Sequence, residues 1–190
     1  MPQRIVLFNG DHLDAWERQG GGAPEWELYR DDAVMVVGRH NIVSLPTFAD
    51  AHIHLEFNLP VEQRERANSG VYVHGCYEIQ VLDSHGIANP GHQDCAAIYE
   101  MYAPIHSACR AAGEWQYYDI FFRAPRFEGE KMTECARMTL MFNGVLVHNN
   151  VLLPRATPGG ITGDPVPTGP LMLQDHGDRV SYRNIWIDKL

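Results

Sequence analysis

The sequence predicts an all-β fold, a sandwich of two antiparallel sheets in one domain over residues 1–190. Three observations support this. Roughly a dozen short segments alternate apolar and polar residues, as half-buried strands do. No segment sustains the apolar period of a long helix. A chain of 190 residues has the length of one domain that buries about 70% of its unfolded surface.

The N-terminal part consists of short strands in close succession. Residues 5–8, 26–29, 33–37 and 41–45 are apolar or alternating runs, separated by residues that favour turns. Such spacing is typical of a β-sandwich.

Residues 52–59 alternate without a fault, so that the odd-numbered apolar residues face the core and the even-numbered polar residues share the other face. His54 and Glu56 are candidate site residues on this polar face. His52 and His54 could also bind a divalent metal, but the ~13 Å from His52 to Glu56 is too long for one ion to take all three as ligands. Exposed strand histidines are the alternative. We therefore assign no metal ligand, although a divalent metal remains a candidate cofactor.

The stretch from Asn68 to Ser84 contains two strand runs that break at Gly75-Cys76. In the second run Ile79 and Val81 face one side and belong to the predicted core. Glu78 and Gln80 therefore look out of the other side, roughly 7 Å apart along the strand.

Asp83 would face away from Glu78 in a regular strand, but a β-bulge near Val81-Leu82 would return it to the same face. The spacing Glu78-x-Gln80-x-x-Asp83 then resembles the Glu-x-Asp-x-x-Glu strand of laminarinase- and lichenase-type jelly-roll glycosidases, in which the outer carboxylates are the catalytic pair. Gln80 departs from that pattern. An ordinary solvent-facing strand is the alternative interpretation.

The C-terminal half continues with turn-rich segments and strands. The loop after Ser84 is expected to form a wall of a binding cleft. Residues 96–99 and 114–123 resemble strands, and the second places Trp115 on a face with other aromatic and charged residues. Asn143-Gly144 predicts a type I′ hairpin turn, because both residues tolerate positive φ. Gln174 and His176 share one face of a last candidate strand.

Composition excludes several function classes. Lys and Arg total 15 against 24 Asp and Glu, a net charge of −9, which argues against a nucleic-acid partner. No segment reaches the ~20 apolar residues of a membrane span, and the N-terminus has no signal-peptide pattern. Four cysteines without Cys-x-x-Cys spacing are expected to be reduced thiols. We therefore expect a cytoplasmic location and no membrane partner, and leave the oligomeric state open.

The whole chain resembles the 3-keto-disaccharide hydrolase domain family, formerly a domain of unknown function. The resemblance rests on motifs along the chain, among them Leu7-Phe-Asn-Gly10, Asn68-Ser-Gly-Val-Tyr72, Tyr77-Glu-Ile-Gln-Val-Leu-Asp83, Phe142-Asn-Gly-Val-Leu-Val147 and Gln174-Asp-His-Gly177. It implies a concanavalin A-like jelly roll with a concave, sugar-facing sheet. It also implies a carbohydrate ligand, namely a glycoside whose C3 hydroxyl has been oxidised to a ketone.

Cleavage of such a glycoside would proceed by elimination and water addition, because the ketone acidifies the proton on C2. The reaction needs a base, a group that polarises the ketone and an acid for the leaving oxygen. We expect one concave pocket, formed by side chains that point away from the apolar face of their own strands. The predicted catalytic residues are Glu78, His176 and Glu56. The predicted substrate-binding residues are Gln80, Asp83, His54, His74, Tyr72, Trp115 and Gln174.

Two other functions remain open at this point. The first is a lectin-like carbohydrate-binding module without catalysis, in which Trp115 or Tyr72 stacks on a sugar ring. The second is direct glycosidic hydrolysis by Glu78 and Asp83, which requires carboxyl groups ~5–5.5 Å apart for retention or ~6.5–9.5 Å apart for inversion.

Overall fold

A computed structural model describes residues 3–190 of the chain. Its regular structure consists of strands and one short 3-10 turn at Arg30–Asp32. Two large antiparallel sheets form a jelly-roll sandwich, which confirms the predicted fold class.

The described strands are, in chain order, β1 (Gln3–Phe8), β2 (Trp16–Arg18), β3 (Glu25–Tyr29), β4 (Val34–Arg39), β5 (Ile42–Phe48), β6 (Ala51–Asn58), β7 (Ser69–Val73), β8 (Tyr77–Val81), β9 (Trp115–Arg123), β10 (Arg126–Glu128), β11 (Lys131–Glu134), β12 (Ala136–Phe142), β13 (Val145–Leu153), β14 (Gly169–Leu173) and β15 (Ser181–Lys189). The large sheet has the order β13-β12-β9-β6-β15-β4-β3, with β1 also paired to β15, and the small sheet has the order β2-β5-β14-β7-β8. Strands β10 and β11 form a separate ribbon.

The core lies between the two sheets and follows from strand alternation. On β6 the odd-numbered residues are buried and the even-numbered residues are partly exposed, as predicted. On β8 Ile79 and Val81 are fully buried in the main hydrophobic cluster. Tyr72 and Met172 pack in a separate cluster, which identifies the outer face of the small sheet.

Two hairpin turns use positive φ angles. Asn143 and Gly144 have φ of 51° and 79°, as the predicted type I′ turn requires. Between β7 and β8, His74 and Gly75 have φ of 55° and 63°, and the Cys76 amide donates to the Val73 carbonyl at 3.2 Å. This tight turn fixes the register between β7 and β8.

The loop that follows β8 folds back along the free edge of that strand. The Gln80 amide donates to the Ala97 carbonyl, and the Ala96 amide donates to the Gln80 carbonyl, both at 2.9 Å. The Tyr99 amide donates to the Glu78 carbonyl at 3.1 Å. The segment predicted as a strand at residues 96–99 is therefore a loop that shares only isolated bridges with its neighbours.

Within residues 3–190, no helix is long and apolar enough to cross a membrane.

Candidate active site

A pocket lies on the outer face of the small sheet. Strands β7 and β8, the residues that follow β14, and three loops contribute its walls. The lining residues are Asn68, Tyr72, Glu78, Gln80, Tyr99, Pro158, Gly159, Gln174 and His176. Five of the sequence-predicted site residues are therefore brought together, namely Tyr72, Glu78, Gln80, Gln174 and His176.

Glu78 lies at the centre of β8 with its side chain in this pocket, and the residue is only 3% exposed. Its cross-strand neighbour on β7 is Tyr72. Gly70 leaves room for the carboxylate, because a Cβ atom there would lie 2.5 Å from Glu78 Oε1. The Glu78 amide donates to Thr157 Oγ1 at 2.8 Å, which ties the strand to the loop before Pro158.

Burial raises the pKa of Glu78 from 4.5 to about 7, because the charged carboxylate is desolvated. The nearby Tyr72 hydroxyl opposes this shift in pKa, and the charge of Glu100 adds to it. A carboxyl group with a pKa near neutrality exchanges protons readily at physiological pH. Glu78 therefore has the properties of a general acid or base.

Two neighbours of Glu78 form a short hydrogen-bonded chain. Gln174 Nε2 donates to the Tyr72 hydroxyl, and this hydroxyl donates to the Pro158 carbonyl, both at 3.2 Å. Gln174 Oε1 is buried and has no partner within residues 3–190. Because an unpaired buried acceptor is costly, this oxygen is suited to receive a hydroxyl group of a ligand.

Gln80 and His176 complete the set that the sequence predicted. Gln80 Oε1 accepts from the Val81 amide at 3.0 Å, and its side-chain nitrogen makes no hydrogen bond to the described residues. His176 Nδ1 lies 3.2 Å from Glu65 Oε2, and the imidazole is 44% exposed. His176 therefore belongs to the solvent-facing part of the pocket.

Residues 3–188 match the family model of the 3-keto-alpha-glucoside-1,2-lyase-like domain. The chain belongs to this family. A candidate glycosyl hydrolase from Parabacteroides distasonis ATCC 8503 is 35% identical, with a TM-score of 0.89 over 98% of this chain and 84% of its own. None of the curated proteins matches the chain.

Two more distant structures share the fold. A second candidate glycosyl hydrolase from Parabacteroides distasonis ATCC 8503 is 20% identical, with a TM-score of 0.74 over 98% of this chain and 94% of its own. The carbohydrate-binding module CBM66 from Bacillus subtilis is 11% identical, with a TM-score of 0.55 over 97% of this chain and 99% of its own.

In this member of the 3-keto-alpha-glucoside-1,2-lyase-like family, three predicted site residues lie on the other sheet. Glu56 and His54 on β6 and Trp115 on β9 face outward from the large sheet. Glu56 accepts hydrogen bonds from Arg183 Nε at 2.6 Å and Asn184 Nδ2 at 2.8 Å. The prediction that Glu56 shares a pocket with Glu78 is wrong, because alternation identifies a face of a strand and not the sheet to which the strand belongs.

The pKa of Glu56 is also shifted in the opposite direction from that of Glu78. Burial raises its pKa, but the hydrogen bonds from Asn184 and Arg183 outweigh burial and hold the pKa of Glu56 below its ordinary value. A carboxylate held in its charged form is a weak proton acceptor.

His74 and Asp83 do not line the pocket either. The His74 ring is buried in the β7–β8 turn, where its nitrogens face the carbonyl oxygens of Ala49 at 3.2 Å and Val166 at 3.1 Å. Asp83 follows the end of β8 and accepts from Gln63 Nε2 at 2.8 Å. The pairing of β8 with β7 is regular through Val81, so no bulge within β8 re-aims Asp83.

Asn68, Tyr99, Pro158 and Gly159 are pocket residues that the sequence reasoning did not assign. Only a general signal existed for them, since turn-rich loops over a sheet often form the walls of a cleft.

In residues 3–190, no group of three or more His, Cys, Asp or Glu side chains is arranged to hold a metal ion.

Proposed function

We propose that this protein cleaves glycosides whose C3 hydroxyl has been oxidised to a ketone, by elimination across C1 and C2. The observation that carries the proposal is Glu78, a buried carboxyl group with a pKa of about 7 inside a pocket of polar side chains. Membership in the 3-keto-alpha-glucoside-1,2-lyase-like family and the 35% identical candidate glycosyl hydrolase support a carbohydrate substrate.

In the proposed reaction the base removes the proton on C2, and the electron pair of the C2–H bond forms an enolate with the C3 ketone. The enolate then collapses, the C1–O bond breaks, and a C1–C2 double bond remains beside the restored ketone. The leaving oxygen takes up a proton. Addition of water across the double bond completes a net hydrolysis.

The position of each pocket residue determines its role in this reaction. Glu78 acts as the base, because it is the carboxyl group of the pocket lining. Tyr72, Gln80 and Gln174 hydrogen-bond the oxygens of the sugar, including the oxygen that becomes the enolate. His176 faces solvent, where the leaving group would depart, and protonates the leaving oxygen.

Direct displacement at C1 is less consistent with this pocket. That mechanism needs two carboxyl groups at a defined separation. Among the described lining residues only Glu78 carries a carboxyl group, and Asp83 is engaged elsewhere.

The test compares the 3-keto and unoxidised forms of the same disaccharides, with and without a chelator. The wild-type protein is expected to cleave only the keto form. Glu78→Gln is expected to bind this form but to cleave it at least ~100-fold more slowly, because general base catalysis contributes that much or more. Glu56→Gln, a matched substitution on the other sheet, should retain activity.

The contrary outcomes are distinct. Equal cleavage of both forms would support direct hydrolysis. Tight binding without turnover by the wild type would support a carbohydrate-binding module. A Glu78→Gln variant with wild-type turnover would exclude Glu78 as the base, and loss of activity with the chelator would indicate a metal.

A further inference from the structure

The outer face of the large sheet has a hollow of its own, on the side of the sandwich opposite the pocket. It lies over β4, β6, β9 and β15. The lining residues are Tyr29, Asp32, Val34, Val36, Asn58, Trp115, Ser181 and Arg183. Trp115, a predicted residue of the pocket, belongs here instead.

The apolar part of this hollow consists of two aromatic rings and two valines. Arg183 holds the Trp115 ring, with its guanidinium carbon 3.9 Å from the ring centroid. The Tyr29 hydroxyl donates to Glu27 Oε2 at 2.6 Å, which holds the second ring. Because both rings are held before any ligand arrives, little side-chain entropy is lost on binding.

The polar part has unused hydrogen-bonding capacity. Arg183 donates from Nε to Glu56 at 2.6 Å, but its two terminal nitrogens make no hydrogen bond within residues 3–190. Asn58 donates from Nδ2 to the Gly113 carbonyl at 2.9 Å, which leaves its side-chain oxygen unused in the same part of the chain. Asp32 is exposed at the rim. Donors and acceptors therefore surround an aromatic surface.

The charges select against anionic ligands. Arg183 is neutralised by Glu56, and Asp32 adds one negative charge to a protein with a net charge of −9. An anionic ligand would be repelled, whereas a neutral molecule with many hydroxyl groups could both donate and accept. An apolar surface with a few placed polar groups is the usual composition of a site for a small neutral ligand.

We infer that this hollow is a second carbohydrate-binding site, which takes a neutral pyranose unit of an oligosaccharide against Trp115. The site goes beyond the proposed function and does not depend on it, because the two sites share no lining residue. Glu56 acts here as a positioning residue, since it orients Arg183.

The test is calorimetric titration of the whole protein with maltohexaose, cellohexaose and laminarihexaose, with an oligoglucuronate as the anionic comparison. At least one neutral hexaose is expected to bind. Trp115→Ala should weaken that binding at least 10-fold, and Asp32→Ala, an exposed substitution with little risk to folding, should weaken it several-fold. Phe121→Ala is the matched control, because Phe121 is a 43% exposed aromatic residue of β9 outside the hollow. It should bind as the wild type does.

Glu78→Gln separates the two sites, because it should lose turnover of a 3-keto disaccharide and keep hexaose binding. Three results would overturn the inference: no binding of any neutral hexaose, tighter binding of the oligoglucuronate, or hexaose binding that survives Trp115→Ala and is lost in Gln174→Ala. The last result would assign the sugar to the pocket.

Discussion

Replacement of Glu78 by Gln should stabilise the protein at alkaline pH much more than at acid pH. In the folded protein the pKa of Glu78 is about 7, against 4.5 for the ordinary group. Well below pH 4.5 the carboxyl group is protonated in both the folded and the unfolded protein, so its raised pKa costs no stability there. Between these values the unfolded chain releases the proton while the folded protein retains it, so stability falls as pH rises. The glutamine variant has no such loss.

The magnitude follows from the same two values. A difference between 4.5 and about 7, at about 1.4 kcal/mol for each pH unit, amounts to ~3 kcal/mol. The advantage of Glu78→Gln over the wild type should therefore grow by up to ~3 kcal/mol from pH 4.5 to pH 8.5. Any constant effect of the amide on packing or hydrogen bonding cancels in this comparison.

The assay is urea unfolding of both proteins at several pH values, with the free energy of unfolding extrapolated to water. Glu56→Gln is the control with the opposite sign. The pKa of Glu56 is lowered in the folded protein, so its contribution is present at higher pH and is lost as pH falls through the folded pKa. If the difference in unfolding free energy between the wild type and Glu78→Gln does not change with pH, the prediction is wrong. Glu78 would then not be a buried carboxyl group with a pKa near 7.

Three further predictions concern strands β7 and β8. First, kcat/KM for a 3-keto disaccharide should rise as pH increases from 5.5 through about 7, because only ionised Glu78 accepts a proton; a flat profile over this range would contradict this. Second, Gly70→Ala should reduce kcat while the fold persists, because the new Cβ atom displaces the Glu78 carboxylate. Gly163→Ala should leave kcat unchanged, because its new Cβ atom has open space around it, and equal activity of the two variants would count against the assigned geometry. Third, Ile79→Ala should cost about 2–5 kcal/mol of unfolding free energy through the cavity it leaves, and a loss below ~1 kcal/mol would argue against full burial of Ile79.

Local alternation was sufficient to predict the strand faces. It separated Glu78 and Gln80 from the buried Ile79 and Val81, because successive side chains of a strand point to opposite faces. It could not assign strands to sheets. Glu56 pairs with Arg183, which follows it by more than a hundred residues, and such long-range pairing has no local signature.

The remaining errors have related causes. His74 seemed to continue a strand, but its positive φ places it in the turn, and its ring packs between Phe48 and Phe122. Tyr99 and Pro158 lie in loops, which have no periodicity from which a side-chain direction could be inferred. Their place at the pocket depends on hydrogen bonds of the backbone and of Thr157 to β8.

The loop after β8 covers the free edge of this strand through main-chain hydrogen bonds. The bonds between the loop and the strand join main-chain amides and carbonyls of Gln80, Ala96, Ala97 and Tyr99, and such bonds form with almost any side chain. Substitutions in the loop can therefore change the pocket wall while the strand that carries Glu78 keeps its partners. Relatives with altered sugar preference should differ first at the position of Tyr99 and its neighbours, with the Glu78 strand conserved beneath them.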